Sequence, residues 1–229
     1  MLLDIESHPV TTDFIVPLCV QQFTTIYVDE DIVVVDKPSG LLSVPGKNPL
    51  NKDCLITRVQ QHYADAHIVH RLDMDTSGVM VLARGKANLS ALSRQFQERQ
   101  TQKQYLAWVY GVLQEDTGEV NLPLRCDWPN RPKQIVDHEL GKPSLTRFEV
   151  LERKPESLQT RVLLKPVTGR SHQLRVHMAE LGHPISGCEF YAHPKALAQA
   201  QRLQLHAWKL SIMHPSTGAM QTHAAPAIF

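Results

Sequence analysis

Three short segments of this sequence gather residues able to do chemistry. In the first, Arg71 precedes Asp73 by two positions, and the chain then turns through Asp75-Thr76-Ser77-Gly78 into an apolar run, Val79–Ala83. If His70–Leu72 is extended, alternation places Arg71 and Asp73 on the same side of the backbone. A guanidinium there can hold a carboxylate ionised and oriented. An aspartate after a strand is ordinarily a turn residue, and Asp75 fits that reading. Asp73 differs, because it has a cation within reach and apolar strand beyond it, where a carboxylate needs a partner. The second segment, Lys103-Gln104-Tyr105, opens a strand; the ordinary reading of such a tyrosine is a core ring with a bonded hydroxyl. The third, Thr168-Gly169-Arg170-Ser171-His172-Gln173-Leu174-Arg175, turns into a helix. On that helix Leu174, Met178 and Leu181 form the buried stripe, with His172, Arg175 and Ala179 on an adjoining one. Arg175 therefore sits beside the apolar face rather than opposite it, although an arginine is usually a surface residue.

These segments need elements to position them. Thr25–Val28 and Ile32–Val35 around Asp29-Glu30-Asp31 predict a tight hairpin, ended by the turn Lys37-Pro38-Ser39-Gly40. Helices are predicted from Asp53, as cap, to about Tyr63, from about Lys86 to Arg99, and from about Ser171 to Leu181, where Gly182 supplies a left-handed stop. Strands are predicted at Gln104–Gly111, Leu122–Arg125, Gln134–His138, Leu145–Glu152 and Thr160–Lys165, with a last hairpin of Leu203–Met213 and Ala219–Thr222. Strands outnumber helices and often follow one another directly. That favours an α+β fold with a mixed, mostly antiparallel central sheet flanked by helices over a doubly wound parallel sheet. Nothing divides the chain after residue 24. Residues 1–24, rich in acids, prolines and threonines, read as an N-terminal extension, and residues 25–229 as one domain with two lobes.

Composition narrows the class. With 42% hydrophobic and 21% charged residues, 229 residues suffice for a sizeable core in an ordinary globular protein. The four cysteines are widely spaced, with no C-x-x-C pair, which points to reduced thiols in a cytoplasmic protein rather than a disulfide framework or zinc ribbon. Residues 1–31 contain six acids and no Lys or Arg, so no secretory signal is expected, and Phe14–Val20 is too short to span a bilayer. His172 and His177 are five apart and diverge on a helix, and none of the 12 histidines belongs to a sequence cluster with ligand spacing; no metal site is expected. The net charge is only +1, but without the acidic first 31 residues the remainder has 24 basic and 17 acidic residues, a net +7. That is a modest footprint for a nucleic-acid partner. The Pro-rich segment Cys126–Gln134 adds Trp128, Arg131 and Lys133, a basic-aromatic combination suited to single-stranded RNA. Its ordinary reading is a structural loop with a buried Trp128.

The nonapeptide His70–Gly78 resembles the signature of the RluA-type pseudouridine synthases, commonly His-Arg-Leu-Asp-Lys-Asp-Thr-Ser-Gly. It departs only at Met74, a position that varies in that family. Lys103-x-Tyr105, the 168–175 segment and Asp36-Lys37-Pro38-Ser39-Gly40-Leu41 are similar to further family motifs. Ser43-Val44-Pro45-Gly46 and Cys126–Gln134 resemble the RluA branch itself. The resemblance covers about Thr25 to Phe229 and leaves no room for the extra N-terminal RNA-binding domain of some relatives. It implies the pseudouridine synthase fold around a catalytic cleft, with Asp73 as catalytic aspartate, Tyr105 as active-site aromatic and Arg175 as the cation paired with Asp73. Arg71 would help to extrude the target base. Lys103, Arg131, Lys133, Arg170 and His172 are the further residues expected on the substrate RNA. The RNA would be large-subunit ribosomal RNA, a transfer-RNA anticodon arm, or both, with no membrane and no obligate protein partner.

Pseudouridine formation breaks the C1′–N1 bond of a uridine, turns the base and joins C1′ to C5. Atoms are neither gained nor lost, so no cofactor is expected. An ionised carboxylate stabilises charge deficiency at C1′, as carboxylates do in glycosidases. Whether Asp73 attacks a sugar carbon or removes a sugar proton stays open at this level. Two other readings compete: a non-catalytic RNA-binding protein on the same fold, and a hydrolase that uses Asp73 on a glycosidic bond.

Overall fold

The computed structural model describes residues 14–227 and 229. Its strands are β1 (Thr24–Val28), β2 (Ile32–Lys37), β3 (Ala66–Ile68), β4 (Ser77–Arg84), β5 (Gln102–Tyr110), β6 (Thr117–Asn121), β7 (Leu124–Cys126), β8 (Gln134–Val136), β9 (Leu145–Lys154), β10 (Gln159–Pro166), β11 (Leu205–Met213) and β12 (Met220–Ala224). The helices are α1 (Leu55–Gln60), α2 (Gly85–Gln97), α3 (Gln173–Glu180) and the short α4 (Pro194–Leu197). Among the described residues one sheet of ten strands runs in the order β1-β2-β4-β11-β5-β10-β9-β6, with β12 on β11 and β3 on β4; β7 and β8 pair separately. Every pairing in the large sheet is antiparallel except β4 with β11. The α+β class with a mixed, mostly antiparallel sheet is the one the strand pattern predicts.

The sheet carries two cores. β2 and β4 read as unbroken apolar runs because they are buried on both faces; Val33–Val35 and Met80–Ala83 pack there with Leu55, Val59 and Leu92 of α1 and α2. Ala107, Val109, Val162 and Leu164 of β5 and β10 form the second core with Leu174 and Met178 of α3. Tyr105 packs against both. The halves meet where β4 runs parallel to β11, with Ser77 opposite His206 and Gly78 opposite Ala207. Gly78 has φ +118°, and a Cβ there would lie 2.2 Å from the Ala207 carbonyl oxygen. The glycine that ends the first motif is thus a point of close backbone approach between the halves.

Several local expectations change. Asp53 does not cap α1; Cys54 does, its amide donating to Thr57 Oγ1 at 3.1 Å, while Asp53 pairs with Arg58 of the same helix. α3 begins at Gln173, and His172 is its N-cap at φ +52°, not part of a helical stripe. The strands β3 and β6 and the helix α4 have too weak a period to be foreseen. The reading of residues 1–24 as a lead-in lies outside the described residues for 1–13. From Phe14 to Phe23 the chain has no regular structure but is held down: Asn51 bonds Val16 N and the Phe14 carbonyl, and Arg58 donates to the carbonyls of Cys19 and Gln21.

Folding also assembles a group that spacing conceals. Asp29 and Asp31 of the β1–β2 turn meet His214, which follows β11, within 4.8 Å. His214 Nδ1 accepts the Thr217 amide at 3.3 Å, so Nε2 carries the proton and donates to Asp29 at 2.9 Å. The Asp29 carboxylate also accepts from Tyr27 and from the amides of Asp31 and Ile32, which, against partial burial, hold it down to about 2. These bonds form a latch between two turns. All four cysteines are free, and among the described residues no helix is long and apolar enough to cross a membrane.

Candidate active site

Asp73 lies between β3 and β4, in a turn that the first sheet motif grips from behind. Lys37, at the end of β2, is buried and donates to the carbonyls of Pro38 at 2.9 Å, Leu41 at 2.7 Å and Met74 at 2.9 Å. The Gly40 amide donates to the same Met74 carbonyl, and Ser39 Oγ to the Asp75 carbonyl at 2.7 Å. Ser43 Oγ donates to the Leu72 carbonyl at 2.7 Å. The backbone on both sides of Asp73 is therefore fixed by Lys37–Ser43, which explains the chemistry of that turn. Burial pulls the Lys37 ammonium down to about 7.

The Asp73 carboxylate faces Arg175 of α3. Arg175 Nη1 lies 3.4 Å from Asp73 Oδ2, and the arginine side chain is only 2% exposed. Its Nε donates to Cys188 Sγ at 3.3 Å, and its guanidinium stacks over the rings of Phe190 at 5.1 Å and Tyr191 at 5.5 Å. Arg175 Nη2 is buried without a hydrogen-bond partner. The expectation that Arg71 orients the carboxylate changes here: among the described residues Asp73 pairs with Arg175 and lies 3.8 Å from His172 Nε2, while Arg71 is exposed. The chain leaves Ile68, where β3 ends, before reaching Arg71, so strand alternation does not carry through to Asp73.

A cavity of about 510 Å³ opens on this pair, a volume suited to a small ligand group. Arg71, Asp73, Lys103, Tyr105, Arg170 and His172 line it together with Arg175. Burial, with the Asp73 charge adding to it, pushes the Tyr105 hydroxyl far above its ordinary value, so the phenol stays neutral. Burial lowers Lys103, and it pulls His172 down to about 4. His70 accepts the Val81 amide at 3.1 Å and stacks on Phe96 at 4.5 Å; burial holds it down to about 3, so it is a neutral wall of the cavity. Arg170 is held at the rim by the Pro143 carbonyl at 3.4 Å. A larger cavity of about 920 Å³ touches the other side of the same turn, at Met74, Asp75 and Ser77, but Asp73 does not line it.

Arg131 and Lys133 stand apart from the cavity. They belong to the tight loop Asp127–Lys133, closed by the Asp127 amide on the Lys133 carbonyl at 3.0 Å. Trp128 is 63% exposed there, with the Arg131 guanidinium 4.6 Å above its ring, so it is not the buried tryptophan of a purely structural loop. Sequence reasoning placed Lys37 and Ser43 in motifs without giving either a role at the site, and it missed Cys188, Phe190 and Tyr191, which only the fold brings to Asp73.

A mixed sheet with an aspartate and a buried arginine facing each other across its central cleft defines a class. The chain matches the family described as RNA pseudouridylate synthase over residues 31–180, and it belongs to that family. It is 56% identical over 204 residues to the dual-specificity RNA pseudouridine synthase RluA of Escherichia coli strain K12, covering 89% of this chain and 93% of that one. The protein of the same description from Yersinia pestis is 58% identical over 193 residues, covering 84% and 93%. Among solved structures, human RNA pseudouridylate synthase domain containing 1 superposes with a TM-score of 0.76 at 30% identity, covering 92% of this chain and 86% of that one. The chain is therefore a pseudouridine synthase, an isomerase.

Proposed function

We propose that this chain isomerises specific uridines in structured RNA loops, of large-subunit ribosomal RNA, a transfer-RNA anticodon arm or both, and that residues 25–229 form its catalytic domain in the cytoplasm. The dual specificity in the names of the relatives from E. coli and Y. pestis supports the RNA classes. One observation carries the assignment of residues: a single cavity collects Asp73, Tyr105 and Arg175 from three separate sequence segments.

In this reading the Asp73 carboxylate lies against the sugar of an extruded uridine and stabilises C1′ as its bond to N1 breaks. Arg175 keeps the carboxylate aimed, because its own position is fixed by Cys188 and two rings. Tyr105, neutral at working pH, is a wall on which the freed uracil packs and turns, rather than a phenolate base. Extrusion costs a few kcal/mol, least for a base already in a loop. Arg71, exposed at the mouth, fills the vacated place or holds the neighbouring phosphate. Lys103 and Arg170 contact the nucleotide from the edge of the cavity and His172 from deeper in it, beside Asp73, while Arg131 and Lys133 hold flanking RNA with Trp128 as a stacking surface.

The test is Asp73→Asn. The variant is expected to bind RNA as the parent does and to release no tritium from RNA labelled at uridine C5. Near-normal release would remove Asp73 from the role, and free uracil among the products would indicate a hydrolase instead.

A further inference from the structure

We propose that Tyr191 is a positioning residue for Asp73: its hydroxyl sets His172 as the Nε2–H tautomer, so that a ring N–H faces the carboxylate. This deepens the catalytic reading of Asp73 and rests on it.

The argument counts protons. Tyr191 has one hydroxyl proton. Its oxygen accepts the Gln134 amide at 2.9 Å, and the other hydrogen-bond partner found for it among the described residues is His172 Nδ1 at 2.6 Å. If Nδ1 carried the imidazole proton, the hydroxyl proton would have no protein acceptor among the described residues, and a bare Nε2 lone pair would face the Asp73 carboxylate 3.8 Å away. If Tyr191 donates to Nδ1, every group is used, and Nε2–H points its positive end at Asp73. Burial keeps His172 neutral, so it contributes a dipole and not a second cation. The ring has little freedom to choose otherwise. His172 caps α3 in a left-handed conformation, lies nearly parallel to Phe190 at 5.6 Å, and meets Tyr191 edge-on at 5.6 Å. At 3.8 Å the bond to Asp73 is not closed; such contacts tighten when substrate is bound.

Tyr191 thereby touches both partners of Asp73, since its ring also lies under the Arg175 guanidinium. Its oxygen reaches a third region as well. Gln134 opens β8, directly after the loop that exposes Trp128 and Arg131, so one hydroxyl joins the base of that loop to the carboxylate through a single imidazole.

Tyr191→Phe removes the hydroxyl and leaves the ring under Arg175. Long-range proton–nitrogen NMR of histidine in the full chain reads the tautomer, with the His172 signal assigned by its loss in His172→Gln. The parent is expected to show Nε2–H alone and Tyr191→Phe a mixture. The single-turnover rate of Tyr191→Phe, measured at saturating RNA so that any loosening of the Trp128 loop does not enter, should fall roughly 10- to 100-fold. An Nδ1–H tautomer in the parent overturns the proposal even if the variant does not fold. So does a folded Tyr191→Phe with the parental rate. A parent that forms no pseudouridine on any ribosomal or transfer RNA would instead overturn the catalytic reading, and the tautomer measurement does not depend on it.

Discussion

At the scale of residues, the site pairs a carboxylate beside an apolar sheet with a buried guanidinium and holds it still. Arg175 supplies the charge, and its usefulness depends on its shape. Nε is committed to Cys188 while Nη1 reaches Asp73, a fork that an ammonium cannot reproduce. Arg175→Lys is therefore expected to keep the fold and the RNA affinity while the single-turnover rate drops roughly 100-fold, the scale of removing one preorganised electrostatic contact. Circular dichroism, a binding titration and tritium release would separate the three; a rate within experimental error of the parent would leave the pairing without a catalytic role. Asp73 and Arg175 are 102 positions apart, so no local pattern shows that they meet. Arg71, nearest in sequence, was the reasonable local partner and is not the one found.

At the scale of elements, the Asp73 turn is held by the ends of other strands. β2 delivers Lys37 and the following turn beneath it, and β11 closes on β4 at Gly78. The sequence marks both places through unusual residues: a lysine after Ile32–Asp36, and a glycine entering an apolar strand. Gly78→Ala places a methyl against the Ala207 backbone in a positive-φ conformation, so β4 and β11 must separate. The expected loss is about 2 kcal/mol or more in urea unfolding, with activity falling because the turn moves with the strand. A parental unfolding midpoint would show that the strands yield without cost. β3 and β6 went unread because Ala66–Ile68 and Thr117–Asn121 lack a clear alternation, although β3 fixes where the chain enters the catalytic turn.

For the whole molecule, buried histidines set the response to acid. His70 is held down to about 3 and His172 to about 4, and burial also lowers His177, His206 and His223. All five have folded values below the roughly 6.5 of an unfolded chain, so below that pH the unfolded state binds more protons. Their contribution is complete above about 6.5 and is lost as pH falls through the folded values. Asp36 and Asp75, raised by burial, act in the opposite sense but only toward the acid end of that range. The urea midpoint should therefore fall steadily from pH 6.5 toward pH 4, with proton uptake on unfolding. A constant midpoint across that interval would mean that these imidazoles are not held neutral.

The class of fold, the three chemical segments and the family follow from the sequence alone, because strand period, turn chemistry and the His70–Gly78 motif are local properties that neighbouring residues determine. The resemblance already named Arg175 as the cation of Asp73, and the tertiary structure decided what else stands around that carboxylate. Its imidazole and the Lys37 clamp come from other elements, and such contacts depend on how the sheet closes at β4 and β11. It also decided that Trp128 faces solvent and that Tyr191 belongs to the site at all. Burial and distance are properties of the closed sheet, and no spacing within one segment contains them.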